Sequence, residues 1–277
     1  MPQETAFIEN QMELLLDDVF EQYGYDFTGY SRASLKRRVL RLFALDKFDN
    51  FIAFRYRIRH DAVYFKRFIE QLTVNVTEMF RDPDFYRALR QKVLPQLSGE
   101  PFIRIWLAGC ATGEEAYSMA ILLKELHLLN KSLIYATDIN PAVLEKAAQA
   151  MFPIGNMQQY SENYIAAGGT KDFSSYYHAN YSLAKFNDDL KTKIIFSTHN
   201  LASDHSFNEF QLILCRNVLI YFDRGLQFKV LKLFDQSLSE GGYLALGSKE
   251  TIAFSTIAPR FTRLDREKIW RKADESM

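Results

Sequence analysis

The chain has 277 residues, 48% hydrophobic and 25% charged, the range of an ordinary globular protein with room for about two domains. Lys plus Arg number 34 and Asp plus Glu number 34, so no overall field draws it to nucleic acid or to an anionic membrane. No apolar run of about 18 residues occurs, Met1 to Phe20 is acidic, and two cysteines with five scattered histidines show no ligand spacing, which argues against membrane insertion, a secretory signal, a disulfide framework and a metal site.

The first hundred residues read as helical. Apolar positions recur at three and four residue intervals through Phe7, Met12, Leu15, Leu16 and Phe20, and again through Leu35, Val39, Leu42 and Phe43. Glu4 to Asp26 holds seven acids and no base, whereas Arg32, Lys36, Arg37, Arg38 and Arg41 follow with no acid between them. Ser31 is the expected N-cap of this basic helix. From Pro101 the pattern becomes strand, loop, helix: a strand over Phe102 to Leu107, a glycine-punctuated loop, and a helix over Glu114 to Leu128. A second strand over Leu133 to Thr137 precedes Asp138, and Pro141 opens a helix through Ala150, a βαβα unit that predicts a parallel sheet. Residues 151–192 are polar, aromatic and poorly periodic, which predicts an insertion of short strands and turns. Strands follow at Ile194 to Ser197, Gln211 to Cys215 and Tyr243 to Gly247, with a helix over Gly225 to Leu238 and a terminal strand within Arg263 to Trp270.

The loop from Leu107 to Glu115 lies where an open parallel sheet binds ligands, after its first strand and before its first helix. Gly109 and Gly113 permit tight turning, and Asp138 stands where a ribose acceptor is expected, so a nucleoside cofactor is implied. Glu114 and Glu115 would repel a pyrophosphate at the helix N-terminus but suit the sulfonium and ammonium of S-adenosylmethionine. The same acids also complement a helix dipole, so on their own they leave that choice open. Cys110 and Cys215 are read as small residues that fit close to the ligand.

Four blocks then resemble one family. Asn75-Val-Thr-Glu-Met-Phe-Arg81, Trp106-Leu-Ala-Gly-Cys-Ala-Thr-Gly-Glu-Glu-Ala-Tyr-Ser118, Ala136-Thr-Asp-Ile-Asn140 and Cys215-Arg-Asn-Val-Leu-Ile-Tyr-Phe-Asp223 look like the chemoreceptor glutamate methyltransferases, the CheR family. Ala116 replaces the proline usual there, a change that keeps the charges.

The resemblance implies an α/β architecture: a Rossmann-like S-adenosylmethionine-dependent methyltransferase domain with an N-terminal helical domain and a small inserted antiparallel β-subdomain. The expected boundaries are 1–74 for the helical domain, 75–100 for a linker and cofactor-lid segment, and 101–277 for the methyltransferase domain, with the insertion at about 151–192. By residue, it implies that Asn75, Thr77 and Arg81 reach over the cofactor, with Arg81 beside the transferring methyl. Glu115 is expected to hold the methionine ammonium and Asp138 the ribose. Asn200 and Leu201 are expected beside the adenine, Arg216 and Asn217 and the Gly109 loop along the cofactor, and Tyr221 against the substrate carboxylate.

The implied partner is the acidic cytoplasmic methylation region of a chemoreceptor coiled coil, docked on Arg32, Lys36, Arg37, Arg38 and Arg41. A solvated helix face paired with Glu4 to Asp26 is the alternative use of those charges. Gly168-Gly169-Thr170 is either a strand edge that takes a receptor's C-terminal tether or a plain turn. The expected product is S-adenosylhomocysteine, the expected location cytoplasmic and the expected state monomeric. Two rival functions remain: a same-fold methyltransferase acting on another acidic protein or small carboxylate, and a cofactor-binding regulatory module without turnover.

Overall fold

A computed structural model describes residues 2–264 and 266–274, with side chains from Glu9 onward, so the expectations for Glu4 and Phe7 lie outside the described side chains. The N-terminal layer is four helices, α1 (Pro2–Tyr23), α2 (Arg32–Leu45), α3 (Phe51–His60) and α4 (Ala62–Leu72). Each forms because its apolar positions share a face. In α4 these are Tyr64, Phe65, Phe68, Ile69 and Leu72, and the Asp61 carboxylate caps its first turn through Val63 and Tyr64. They close over a core that includes Leu15, Val19, Phe27, Val39, Phe54 and Phe68. Two expectations fail here. Phe20 is 56% exposed and faces away from that core. Ser31 holds the N-cap position of α2, but its hydroxyl caps nothing.

After the irregular segment 73–82, the chain turns into α5 (Pro83–Ala88), a π-helical stretch over Leu89–Val93, and the single turn α6 (Leu94–Leu97). The sheet then follows: β1 (Ile103–Ala108), α7 (Glu114–Glu125), β2 (Ser132–Asp138), α8 (Pro141–Ala148). The insertion holds β3 (Met151–Pro153), α9 (Met157–Ala166), β4 (Tyr177–Asn180), β5 (Leu183–Phe186) and α10 (Asp188–Lys191). β6 (Ile194–Thr198), β7 (Phe210–Cys215), α11 (Arg224–Ser237), β8 (Leu238–Leu246), β9 (Phe261–Arg263) and β10 (Ile269–Lys272) complete the chain.

Seven strands form one sheet in the order β6-β2-β1-β7-β8-β10-β9. The first five are parallel; β10 and β9 are antiparallel additions at the edge. The single terminal strand expected within Arg263 to Trp270 is therefore two strands, with residue 265 outside the described residues. Strand order reverses between β1 and β7, and such a switch point opens a crevice at the carboxyl ends of the strands. No helix among the described residues is long and apolar enough to cross a membrane.

The insertion is a three-stranded antiparallel sheet, β3-β5-β4, but it also contains the ten-residue helix α9. Met157, Tyr160 and Tyr164 recur at helical spacing beneath a polar face. Gly168-Gly169-Thr170 is not a strand edge. Gly168 has φ +84°, its N–H donates to the Ile165 carbonyl and that of Gly169 to the Tyr164 carbonyl, a Schellman termination of α9.

Glu125 fastens this insertion to α7. Its side chain is 2% exposed and accepts hydrogen bonds from the Tyr164 hydroxyl, from the Tyr176 hydroxyl at 2.9 Å and from Arg90. Burial acts to raise its carboxyl, but these donors outweigh it and hold the group below the usual carboxylate range. Its stabilisation is thus present at neutral pH and lost as pH falls through that depressed value. Glu125→Ala, which strands a buried guanidinium and two hydroxyls, is expected to cost about 3–5 kcal/mol at pH 7. Urea unfolding checks this, with the gap to the unaltered protein closing on acidification.

Candidate functional site

The crevice at the strand ends is roofed by the helical layer and by segment 73–81, and the space between them, counted out into open solvent, is about 1300 Å³. Its floor is built from the carboxyl ends of β1, β2, β6 and β7, which deliver Gly109 and Cys110, Asp138, His199 and Arg216 in turn. α2 supplies Ser34, Leu35 and Arg38 from above.

Gly109 starts the floor. With φ +82° it turns β1 back so that its N–H and that of Cys110 donate to the Thr137 carbonyl. A Cβ there would lie 2.4 Å from Val218 Cγ2, so only glycine fits. Asp138 ends β2 and is buried. Oδ2 accepts the Ala111 N–H at 2.9 Å and Oδ1 the Asn140 N–H at 3.0 Å. Burial lifts its carboxyl above the usual aspartate range despite these two donors. Each oxygen keeps a lone pair for a ligand hydroxyl.

The two acids of the loop part company. Glu114 turns away from the cleft and accepts from the Thr112 hydroxyl at 2.6 Å and the Tyr160 hydroxyl at 3.4 Å, with burial raising its carboxyl. Glu115 alone faces the cleft. Its Oε2 is held at 2.9 Å by Arg216 Nη1, and no hydrogen bond engages Oε1 among the described residues.

Arg216 is the junction of the site, with its side chain 3% exposed. Besides Glu115 it binds Asp82 Oδ2 at 2.7 Å and the Arg81 carbonyl at 3.0 Å, and its plane lies 4.0 Å from the Phe85 ring centroid. The linker is thereby pinned to β7. A second pin is Ser118, whose hydroxyl accepts the Phe80 N–H at 3.0 Å while donating to the Glu114 carbonyl at 2.7 Å. Phe80 and Asp82 both take positive φ, at 52° and 58°, and these pins hold them there.

Segment 73–81 brings Asn75, Thr77 and Arg81 to the cleft together. Leu201, Asn217 and Tyr221 also line it. Asn200 does not line it: its Oδ1 accepts the Ala202 N–H at 3.0 Å, so the carboxamide shapes the turn that presents Leu201. Of the five basic residues of α2, only Arg38 reaches the cleft, its guanidinium 5.7 Å from the Tyr221 ring centroid. Arg32 and Lys36 pair instead with Glu13 and Glu9 of α1, at 2.9 and 3.6 Å. Arg37 and Arg41 are exposed and unpaired among the described residues. Of the two uses foreseen for the basic face, the pairing with α1 is seen at Arg32 and Lys36.

Sequence reasoning missed Tyr30, His199 and Glu250. Tyr30 packs on Phe222 with ring centroids 4.8 Å apart, and the flanking backbone forms an antiparallel bridge in which the Ser31 N–H donates to the Tyr221 carbonyl at 2.8 Å. The adjacent tyrosine and serine before α2 carry no motif that signals this. Burial pushes the Cys110 and Cys215 thiols well up, which keeps both inert.

Comparison with known proteins fits this geometry. A family described as CheR methyltransferase, SAM binding domain, matches residues 75–267, and the CheR methyltransferase all-alpha domain matches 10–73. A Pseudomonas putida protein provisionally named methyltransferase Cher3 is 47% identical over 95% of this chain and 97% of its own. Chemotaxis protein methyltransferases of Listeria monocytogenes and Borreliella burgdorferi are 32% and 29% identical, over 83% and 88% of this chain and 85% and 89% of theirs.

Arg216→Leu leaves the Glu115 carboxylate half-enclosed without its cation and is expected to lower unfolding free energy by about 3 kcal/mol. The exposed pair gives the contrast in the same denaturation series: Arg32→Leu is expected to cost about 0–1 kcal/mol.

Proposed function

The chain belongs to the CheR methyltransferase family, and from that premise we propose that it esterifies glutamate side chains in the cytoplasmic methylation region of a chemoreceptor, using S-adenosylmethionine and releasing S-adenosylhomocysteine. The observation that carries the reading is the composition of the cleft: Glu115 and Asp138 on its floor, segment 73–81 over it, and Tyr221 with Arg38 at the side formed by α2.

The residues present fit the cofactor. Buried Arg216 Nε and His199 Nδ1 both belong to cleft residues and have no hydrogen-bond partner among the described residues, which is consistent with a polar ligand beside them. Glu115 Oε1 would hold the ammonium, Asp138 the ribose hydroxyls and Leu201 the adenine face, while Asn75, Thr77 and Arg81 would close over the methionine end. When bound, the cofactor supplies an electrophilic methyl on a sulfonium.

The chain's own work is then positioning. A carboxylate is already a nucleophile at neutral pH, so esterification needs no general base; it needs in-line approach and removal of water. Tyr221 donates a hydroxyl hydrogen bond that orients the acceptor carboxylate, and Arg38 and Arg81 draw its charge into the cleft.

For docking, Arg37 and Arg41 lie four residues apart on one exposed face of α2 and are free to meet an acidic helix. Arg32 and Lys36 serve the α1–α2 contact instead. A tether would add along β4, one of the two outer strands of the inserted sheet. The protein is read as a cytoplasmic monomer.

Labelled methyl from S-adenosylmethionine should enter a cognate receptor's cytoplasmic fragment and leave as methanol under mild alkali; stable label, or none, removes the glutamate ester reading. Asp138→Ala should weaken S-adenosylhomocysteine binding by about 1.5–3 kcal/mol in calorimetry, and unchanged affinity removes the ribose assignment. Arg37→Glu with Arg41→Glu should lower receptor methylation about tenfold at low salt, with cofactor affinity intact. The same reversal at Arg32 and Lys36 should instead show as lost stability.

A further inference from the structure

Glu250 stands outside every motif and outside the cleft, on the turn that follows β8. It is 4% exposed, and no cation pairs with it among the described residues. Burying an unpaired carboxylate is costly, and the cost is offset only by hydrogen bonds. Its donors are all backbone. Oε2 accepts the Gly247 N–H at 2.6 Å and the Asn217 N–H at 3.1 Å, and Oε1 accepts the Ile220 N–H at 3.2 Å.

Two of those donors belong to the loop that carries the site. Asn217 lines the cleft and is held at φ +61°, a strained conformation for a residue with a side chain. Ile220 directly precedes Tyr221 within the 3₁₀ turn Leu219–Tyr221. The carboxylate therefore spans the loop from its strained start to the residue before the tyrosine hydroxyl. A glutamine could not replace it, because one of its two acceptors would become an NH₂ facing an N–H donor.

Resting on the assignment of Tyr221 to the acceptor carboxylate, we propose that Glu250 is a positioning residue that sets the height and direction of Tyr221 for methyl transfer. The clamp fixes the 3₁₀ turn from beneath, while the Ser31 N–H fixes the Tyr221 carbonyl from the side of α2. Without the clamp the turn relaxes and the hydroxyl leaves the acceptor, although the cofactor floor at Glu115 and Asp138 stays in place.

The test is a double-mutant cycle on receptor methylation, measured well below each variant's unfolding midpoint, with S-adenosylhomocysteine affinity measured in parallel. Glu250→Gln should lower kcat about tenfold and change cofactor affinity less than about threefold. In the Tyr221→Phe background the same substitution should lower kcat no more than about twofold, since the hydroxyl it positions is gone. Equal losses in both backgrounds overturn the proposal and leave Glu250 a purely structural residue. A Tyr221→Phe enzyme with full kcat overturns the reading of Tyr221 and this inference with it. Should Glu250→Gln not fold, Glu250→Asp serves the same cycle: it keeps the acid and draws it back by one methylene from the Asn217 and Ile220 N–H groups.

Discussion

One buried guanidinium holds the site together. Arg216 leaves the end of β7 and meets Glu115 from the loop after β1, Asp82 and the Arg81 carbonyl from the linker, and the face of Phe85. Two stretches of chain far apart in sequence, 81–85 and the start of α7, converge on one planar group from a third. A lysine could not replace it, since a single ammonium has neither the fork that spans two carboxylates and a carbonyl nor the flat face that stacks on an aromatic ring. The charge balance has a consequence for Glu115. Half of its carboxylate is spent on Arg216, so the acid is fixed in direction before any ligand arrives.

From this junction the rest of the cleft follows by tethering. The linker is pinned by Arg216 and Ser118, and Asn163 of the insertion adds a third contact, at 3.0 Å to the Met79 carbonyl. The stretch 79–82 of the linker is therefore engaged from three sides, which anchors the C-terminal end of the roof. The insertion, held to α7 by Glu125, belongs to that scaffold. A pocket assembled this way is largely formed in advance, and less of a ligand's binding energy goes into ordering the chain around it.

The central sheet was legible because its strands are apolar runs and its loops are punctuated by glycine and acids. β1, β2, β7 and the helices α7, α8 and α11 fall within a few residues of their expected places. What the sequence hid was whatever depends on distant partners. Glu114 and Glu115 are neighbours of the same type, and only the packing of α9 shows that one turns to Tyr160 and the other to the cleft. Arg32 and Lys36 look like Arg37 and Arg41 until α1 is laid beside them. The glycine pair after α9 resembles a hairpin turn, yet it ends a helix whose aromatic stripe was masked by polar residues. Glu250 had no signal, because its meaning lies in backbone groups about thirty residues earlier.

The bridge between Tyr30 and Phe222 joins the two layers at the start of α2, with the Ser31 N–H on the Tyr221 carbonyl. Ser31, at the N-cap of α2, is thus fixed beside Tyr221. From Ser31 to Arg41 the helix rises about 15 Å, a length that side-chain motion does not change. On the docking proposed above, a receptor helix lying along α2 would meet that length as a ruler: the glutamate chosen would be the one standing a set number of turns from the acids that grip Arg37 and Arg41. Selection of this kind reads spacing along a rod, not the residues on either side of the target.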